Sequence, residues 1–193
     1  MILPVLQYPD ERLRQVSQPV PEITDEIRKL ASDMLETMYK EDGIGLAAPQ
    51  VGHFVRMVVI DLYPYRDEEE EAAPEPAAQS DEAGQSGEDS PAEPAMPLVL
   101  INPELTLLGG MVKSEEGCLS VPNDYRASVP RHEMVYLKAL GLDGNPVELT
   151  ADGLLAVCLQ HECDHLDGKL FIDYISRLKL SLYKASLRKQ NKG

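Results

Sequence analysis

Residues 160–168 read QHECDHLDG. In a helix, positions four apart lie one turn apart on the same face, so His161 and His165 can aim imidazole nitrogens at one ion. Glu162, one residue on, projects beside that ion, where a carboxylate takes a proton from water activated by a metal. With four His and 19 Glu in the chain, an H-E-x-x-H spacing arises by chance in roughly one random ordering in a hundred, which makes the motif specific.

Two neutral imidazoles need a third protein ligand. After Glu162 the chain has no Glu, and after His165 no His, so the downstream ligand used by metallopeptidases of this helical motif is missing. Asp167 and Asp173 are the weaker downstream candidates. Cys163 sits about 200° round the helix from His161 and faces away. Cys158 lies in an apolar run and reads as core. His53 and His132 stand in mixed polar surroundings with nothing else to recommend them. Cys118, in KSEEGCLSVP, ranks first, because a thiolate brings the charge that imidazoles lack and Gly117 beside it permits close backbone approach. One Cys and two His leave a coordination position for water, as in catalytic rather than closed structural sites. Hydrolysis of a carbonyl compound then needs donors for the developing oxyanion. The Gln50 amide, in DGIGLAAPQVG, and the backbone N–H of Leu119 are the natural ones.

Several elements must carry these residues. TDEIRKLASDMLETMYK, 24–40, spaces Ile27, Leu30, Ala31, Met34, Leu35 and Met38 as an amphipathic helix capped by Thr24 and stopped by Gly43. Its methionines read as core filler. Residues 54–63 and 97–105 are rich in β-branched residues and read as strands. MVYLKAL, GLDGNP and VELTA read as a hairpin turning at Asp143-Gly144. The run ADGLLAVCLQHECDHLDG predicts a buried helix, capped by Asp152 or Thr150 and ended by Gly168. In the tail from Tyr174, Ile175, Leu178, Leu182 and Leu187 fall at helical spacing, with six Lys or Arg and no acid.

The net charge of −15 is concentrated in one place. Residues 66–95 hold eleven Asp or Glu against one Arg, which leaves about −5 for the other 163 residues. This Pro-, Ala- and Glu-rich stretch has no periodic apolar face and reads as a solvated insert, inert in preference to a binding arm. Three cysteines and no visible export signal disfavour a disulfide framework. No apolar run is long enough to span a membrane. The expectation is a cytoplasmic protein of one domain, 1–193, interrupted by the insert, with no membrane or DNA partner.

GIGLAAPQ at 43–50, EEGCLS at 115–120 and QHECDH at 160–165 resemble, in order, the three signature motifs of peptide deformylases. The similarity runs from VLQYPDERLRQ through VPR at 129–131 to DGLLAVCLQHECDHLDGKLFIDYIS, and leaves out the acidic insert. The resemblance implies an α+β fold with antiparallel β-sheets around a central metal-binding helix, followed by a C-terminal helix. It implies removal of the formyl group from the formyl-methionine of nascent peptides, releasing formate. By motif position Cys118, His161 and His165 would bind one divalent metal, Fe2+ first, with Zn2+, Ni2+ or Co2+ as substitutes. Glu162 would be base and then acid, and Gln50 with the Leu119 N–H would hold the oxyanion. Gly45 would lie along the peptide, with Ile44, Gly117, Leu154, Val157 and Cys158 bordering it and its methionine pocket. The basic tail would suit docking on the ribosome. A metallopeptidase on the same helix is the enzyme alternative, disfavoured by the missing downstream ligand. A metal-binding protein without turnover is disfavoured by the presence of Glu162 and Gln50.

Overall fold

A computed structural model describes residues 1–63 and 94–190. The acidic residues up to Glu93 lie outside the described residues. Helix α1 spans Asp25–Lys40, and the Thr24 side chain accepts from the Ile27 N–H at 3.4 Å, which satisfies one of the unpaired donors at a helix start. At the other end the left-handed position is taken by Asp42, at φ 54°, one residue before the expected glycine. The Gly43 N–H then returns to the Met38 carbonyl at 2.9 Å. Gly43 is needed for space instead, since a Cβ there would meet Leu119 Cδ1 at 2.9 Å.

Five strands form one antiparallel sheet in sequence order: β1 Gly45–Ala47, β2 Met57–Ile60, β3 Leu98–Glu116, β4 Ala127–Leu140 and β5 Pro146–Asp152. The hairpin expected at Asp143-Gly144 joins β4 to β5, with Leu140 opposite Pro146 and Gly144 at φ 86°. Strand β3 runs eleven residues past the stretch read as strand in the sequence. Gly109-Gly110 forms an irregularity inside the strand: the register shifts between Leu108 and Met111, Gly109 adopts φ 68°, and the Glu133 carboxylate accepts from the Gly110 N–H at 2.8 Å. The extension carries Glu116, and next to it Cys118, towards the helix that follows β5.

The sheet is covered on both faces. Along β2, Val58 and Ile60 pack with Ala156, Leu159 and Leu166 of helix α2 (Gly153–Leu166), while Met57 and Val59 pack with Leu30, Met34 and Met38 of α1. All four β2 residues are fully buried, so the strand reads as an unbroken apolar run where a one-sided strand would alternate. Helix α2 starts directly from β5 through Gly153 at φ 53°, with Asp152 at the cap position but making no side-chain cap bond. It ends at Gly168, φ 70°, where the Lys169 N–H reaches the Asp164 carbonyl at 2.8 Å.

One packing expectation is corrected, and the packed face of the last helix is defined. The first turn of α2 is only partly buried: Leu154 is 55% exposed while Ala156 is fully buried. In helix α3, Arg177–Gln190, Leu178 and Leu182 point outward, and Tyr183, with Leu180 and Leu187, packs against Leu13, Val121 and Phe171. The inward stripe is 180–183–187, and the spacing of Leu178 and Leu182 marks an outer one. Among the described residues no helix is long and apolar enough to cross a membrane.

Candidate metal centre and active site

Residues at 154, 157, 158, 161, 162 and 165 share one stripe of α2. That stripe presents both histidines to the turn that follows β3. Cys118 Sγ lies 3.2 Å from His165 Nε2, and the two Nε2 atoms lie 3.3 Å apart. The three ligand atoms all fall within 4.8 Å of one another. Lone pairs aimed at a common point repel, and a cation among them removes the repulsion. Ordinary metal–sulfur and metal–nitrogen bonds in a tetrahedral site place such atoms about 3.4–3.6 Å apart, so the residues fit a divalent ion with little movement.

Behind the histidines the site is tightly partnered. Glu116 Oε2 pairs with His161 Nδ1 at 2.8 Å, which leaves Nε2 for the ion. Arg131 grips both Glu116 oxygens, at 2.7 and 2.9 Å, and reaches Asp164 at 2.6 Å. The Tyr174 hydroxyl donates to Asp164 at 2.9 Å, and the Arg131 guanidinium lies 5.0 Å from its ring centre. Burial alone would raise the Glu116 carboxyl, but Arg131 and His161 hold it below its ordinary value. Burial likewise opposes charge on His161, yet its bonds to Cys118 and Glu116 keep it well above the usual imidazole value. Burial, then the facing His161, pushes His165 well below.

On the opposite side of the ligand cluster, Glu162 is buried and its Oε2 has no hydrogen-bond partner among the described residues. Burial pushes its carboxyl up to about 7, the range suited to taking and returning a proton near neutral pH. Gly45 makes room for it, since a Cβ there would lie 2.5 Å from Glu162 Oε1 and 2.9 Å from Cys158 Sγ. Gln50 is buried with its amide orientation fixed: Oε1 accepts from the Ala47 N–H at 2.7 Å, so Nε2 faces Ser120 Oγ at 3.2 Å and Cys118 Sγ at 3.5 Å. The turn bearing Leu119 is closed by the Val121 N–H on the Cys118 carbonyl at 2.9 Å.

Of the expected pocket residues, Cys158 is buried with Sγ 3.9 Å from the Ile44 carbonyl, Val157 is half-buried, and Ile44 and Leu154 are exposed. Gly117 lies beside the Arg126 stem, and a Cβ there would meet only ordinary contacts, the nearest at 3.5 Å. Burial raises both the Cys158 and Cys163 thiols, the latter to about 12, so they remain neutral, and neither is in the cluster. His53 and His132 are also outside it. Sequence reasoning missed Glu116, Arg131 and Asp164. The available signal was an acid two residues before the proposed ligand, since a ligating imidazole needs a partner for its second nitrogen.

A cysteine sulfur, two imidazoles and a buried carboxylate with an oxygen unpaired among the described residues, on an α+β scaffold, fit a metal-dependent hydrolase. Residues 2–181 match the family model described as polypeptide deformylase, and the chain belongs to that family. It is similar to the crystal structure of a peptide deformylase from Legionella pneumophila, with 38% identity over 100% of this chain and 96% of that one, and TM-score 0.79. It is also similar to a Synechococcus elongatus peptide deformylase in complex with actinonin, with 39% identity over 95% and 85%, TM-score 0.75. A third similar structure is the Met-Ala-Ser-bound peptide deformylase from Acinetobacter baumannii, with 34% identity over 91% and 99%, TM-score 0.70. The chain is a peptide deformylase-type hydrolase that removes the N-terminal formyl group of nascent polypeptides.

Proposed function

We propose that Cys118, His161 and His165 hold one divalent ion, ferrous in the cell, and that Glu162 moves the protons of the reaction. The observation that carries this reading is the buried, unpartnered Oε2 of Glu162 beside the Cys118–His161–His165 convergence. A bound ion supplies a Lewis acid that polarises the formyl carbonyl and makes water acidic. Glu162 accepts a proton from the attacking water and delivers it to the leaving nitrogen as the carbon–nitrogen bond breaks, giving formate and a free amine. The Gln50 amide and the Leu119 N–H donate to the developing oxyanion. Gly45 and Gly117 flank the peptide, and Ile44, Leu154, Val157 and Cys158 border the methionine side chain. The exposed apolar Leu154 and Ile44 support this, because a free surface of that kind gains from covering by substrate.

Iron is favoured over zinc, nickel or cobalt only by family resemblance, since the donor set accommodates all four. The test is formate release from formyl-Met-Ala-Ser by anaerobically purified protein, with metal content read on the same sample. Rapid release with one iron per chain supports the assignment; equal rates for iron- and zinc-loaded protein would remove the preference for iron.

The cations of α3 suit the phosphates of ribosomal RNA. Because Tyr183 packs into the core, deleting α3 would disturb the fold as well as any contact. Reversing the charges of Lys184, Arg188 and Lys189 is the cleaner test. Unchanged co-sedimentation with ribosomes at low salt would end the docking idea. This same reading places the protein in the cytoplasm.

A further inference from the structure

Leu6, Gln7 and Tyr8 have no role in the site as described, yet they hold both of its loops. The Leu6 N–H donates to the Gln50 carbonyl at 2.7 Å, Gln7 Nε2 to the Leu119 carbonyl at 2.7 Å, and the Tyr8 N–H to the Ser120 carbonyl at 2.8 Å. A peptide unit is planar and trans, so its carbonyl and its N–H point in opposite directions. The Leu119 carbonyl shares its unit with the Ser120 N–H, which donates to Cys118 Sγ at 3.4 Å. Gln7 therefore holds one end of a rigid plate whose other end rests on the sulfur. The preceding plate, whose far end is the Leu119 N–H, is fixed among the described residues by the backbone of Val121. Of the three clasp contacts, two come from backbone N–H groups that survive substitution. The third depends on the Gln7 side chain.

The geometry points to Gln7 as a positioning residue of the deformylase reaction: its amide locks the Leu119–Ser120 peptide so that the Ser120 N–H holds the Cys118 sulfur and the turn presents the Leu119 N–H. This rests on the reading of Cys118 as a metal ligand and of Leu119 as an oxyanion donor. A hydrogen bond to a thiolate draws charge from it and leaves any ion it binds a stronger Lewis acid, so losing the bond should be visible both in the sulfur's electronic transitions and in turnover. Gln7 is exposed, so changing it should spare the fold.

The test compares Gln7→Glu, a near-isostere without a donor, with Gln7→Lys, which keeps one. Three readouts are taken: the sulfur-to-cobalt charge-transfer band of cobalt-loaded protein, kcat and KM for formyl-Met-Ala-Ser measured separately, and the melting curve. Gln7→Glu is expected to move the band and lower kcat about tenfold, with KM within about twofold and an unchanged melt. Gln7→Lys is expected to restore the band and most of kcat. A wild-type band that Gln7→Glu leaves in place, with kcat unchanged, overturns the role of Gln7. So does an equal loss in both variants that tracks a lowered melt, which marks a purely structural contact. A cobalt-loaded wild type without any such band overturns the ligand assignment for Cys118, and the inference with it; that outcome is distinct from the failure of Gln7 alone.

Discussion

His161 and Glu162 are neighbours in the chain, and the protein treats their side chains in opposite ways. On the His161 side every polar atom has a partner, in a series running through Glu116, Arg131 and Asp164 to Tyr174. On the Glu162 side the carboxylate is equally buried and one oxygen has none among the described residues. Buried polar groups are ordinarily satisfied, and an exception carries an energetic cost. The contrast teaches how one helix serves two purposes. In the roles proposed for these residues, saturated hydrogen bonding would fix the geometry of a ligand, and withheld hydrogen bonding would keep a carboxylate free to exchange protons.

Substitution on the open side should give the largest effect. Glu162→Gln retains shape and removes the base, so formate release should fall by about 10²–10⁴-fold while metal content and melting stay near wild type. A loss of less than tenfold would show that the free oxygen is not where the chemistry happens. On the closed side the expected pattern reverses. Glu116→Gln takes from buried Arg131 one of its two carboxylate partners and leaves it Asp164 at 2.6 Å, which costs about 1–3 kcal/mol in denaturant unfolding. It should also weaken metal affinity by about 10–100-fold in chelator competition. Gly45→Ala probes the boundary between the two sides. Its methyl would sit 2.5 Å from Glu162 Oε1, so kcat should drop about tenfold with a stability loss of about 1–3 kcal/mol. If the crystal structure of that variant showed Glu162 unmoved, the tight fit would not be what sets its position.

The smallest effect lies away from the site and serves as a control. The Tyr39 hydroxyl donates to Asp61 at 2.8 Å, and burial, followed by that bond, pushes it up to about 12. Between its ordinary value near 10 and 12 the folded chain keeps a proton that the unfolded chain releases, so its stabilising contribution is full below about pH 10 and declines as pH rises towards 12. Tyr39→Phe should flatten that alkaline decline in melting temperature and leave turnover at neutral pH unchanged.

The candidate ligands and the candidate base could be read from the sequence, and the Glu116–Arg131–Asp164 backing behind them could not. His161, Glu162 and His165 declare themselves through helical spacing, and Cys118 by elimination, because these are local patterns of residue type. Helix α1 and the β4–β5 hairpin were readable for the same reason. The Glu116–Arg131–His161 contact depends on β3 continuing through Gly109-Gly110 and on its register against β4, which puts Glu116 opposite Ala127. Two glycines in a row argue locally for a turn, and only tertiary pairing makes them a bulge. The helical spacing of Ile175, Leu178, Leu182 and Leu187 left the inward face of α3 open; Tyr183 settles it, with a large surface to bury against Tyr125, whose ring lies 4.3 Å away.

The three-residue clasp also bears on how the molecule assembles. Gln7 meets Leu119 across 112 positions of chain, Gln50 meets Cys118 across 68, and Cys118 meets His165 across 47. Closing loops of this size loses entropy before any contact compensates, and such non-local pairings slow folding. The metal cluster therefore completes only after distant stretches have found one another. An ion that binds the finished site and not the unfolded chain then acts as a latch across all of them, and its uptake reports the last step of folding.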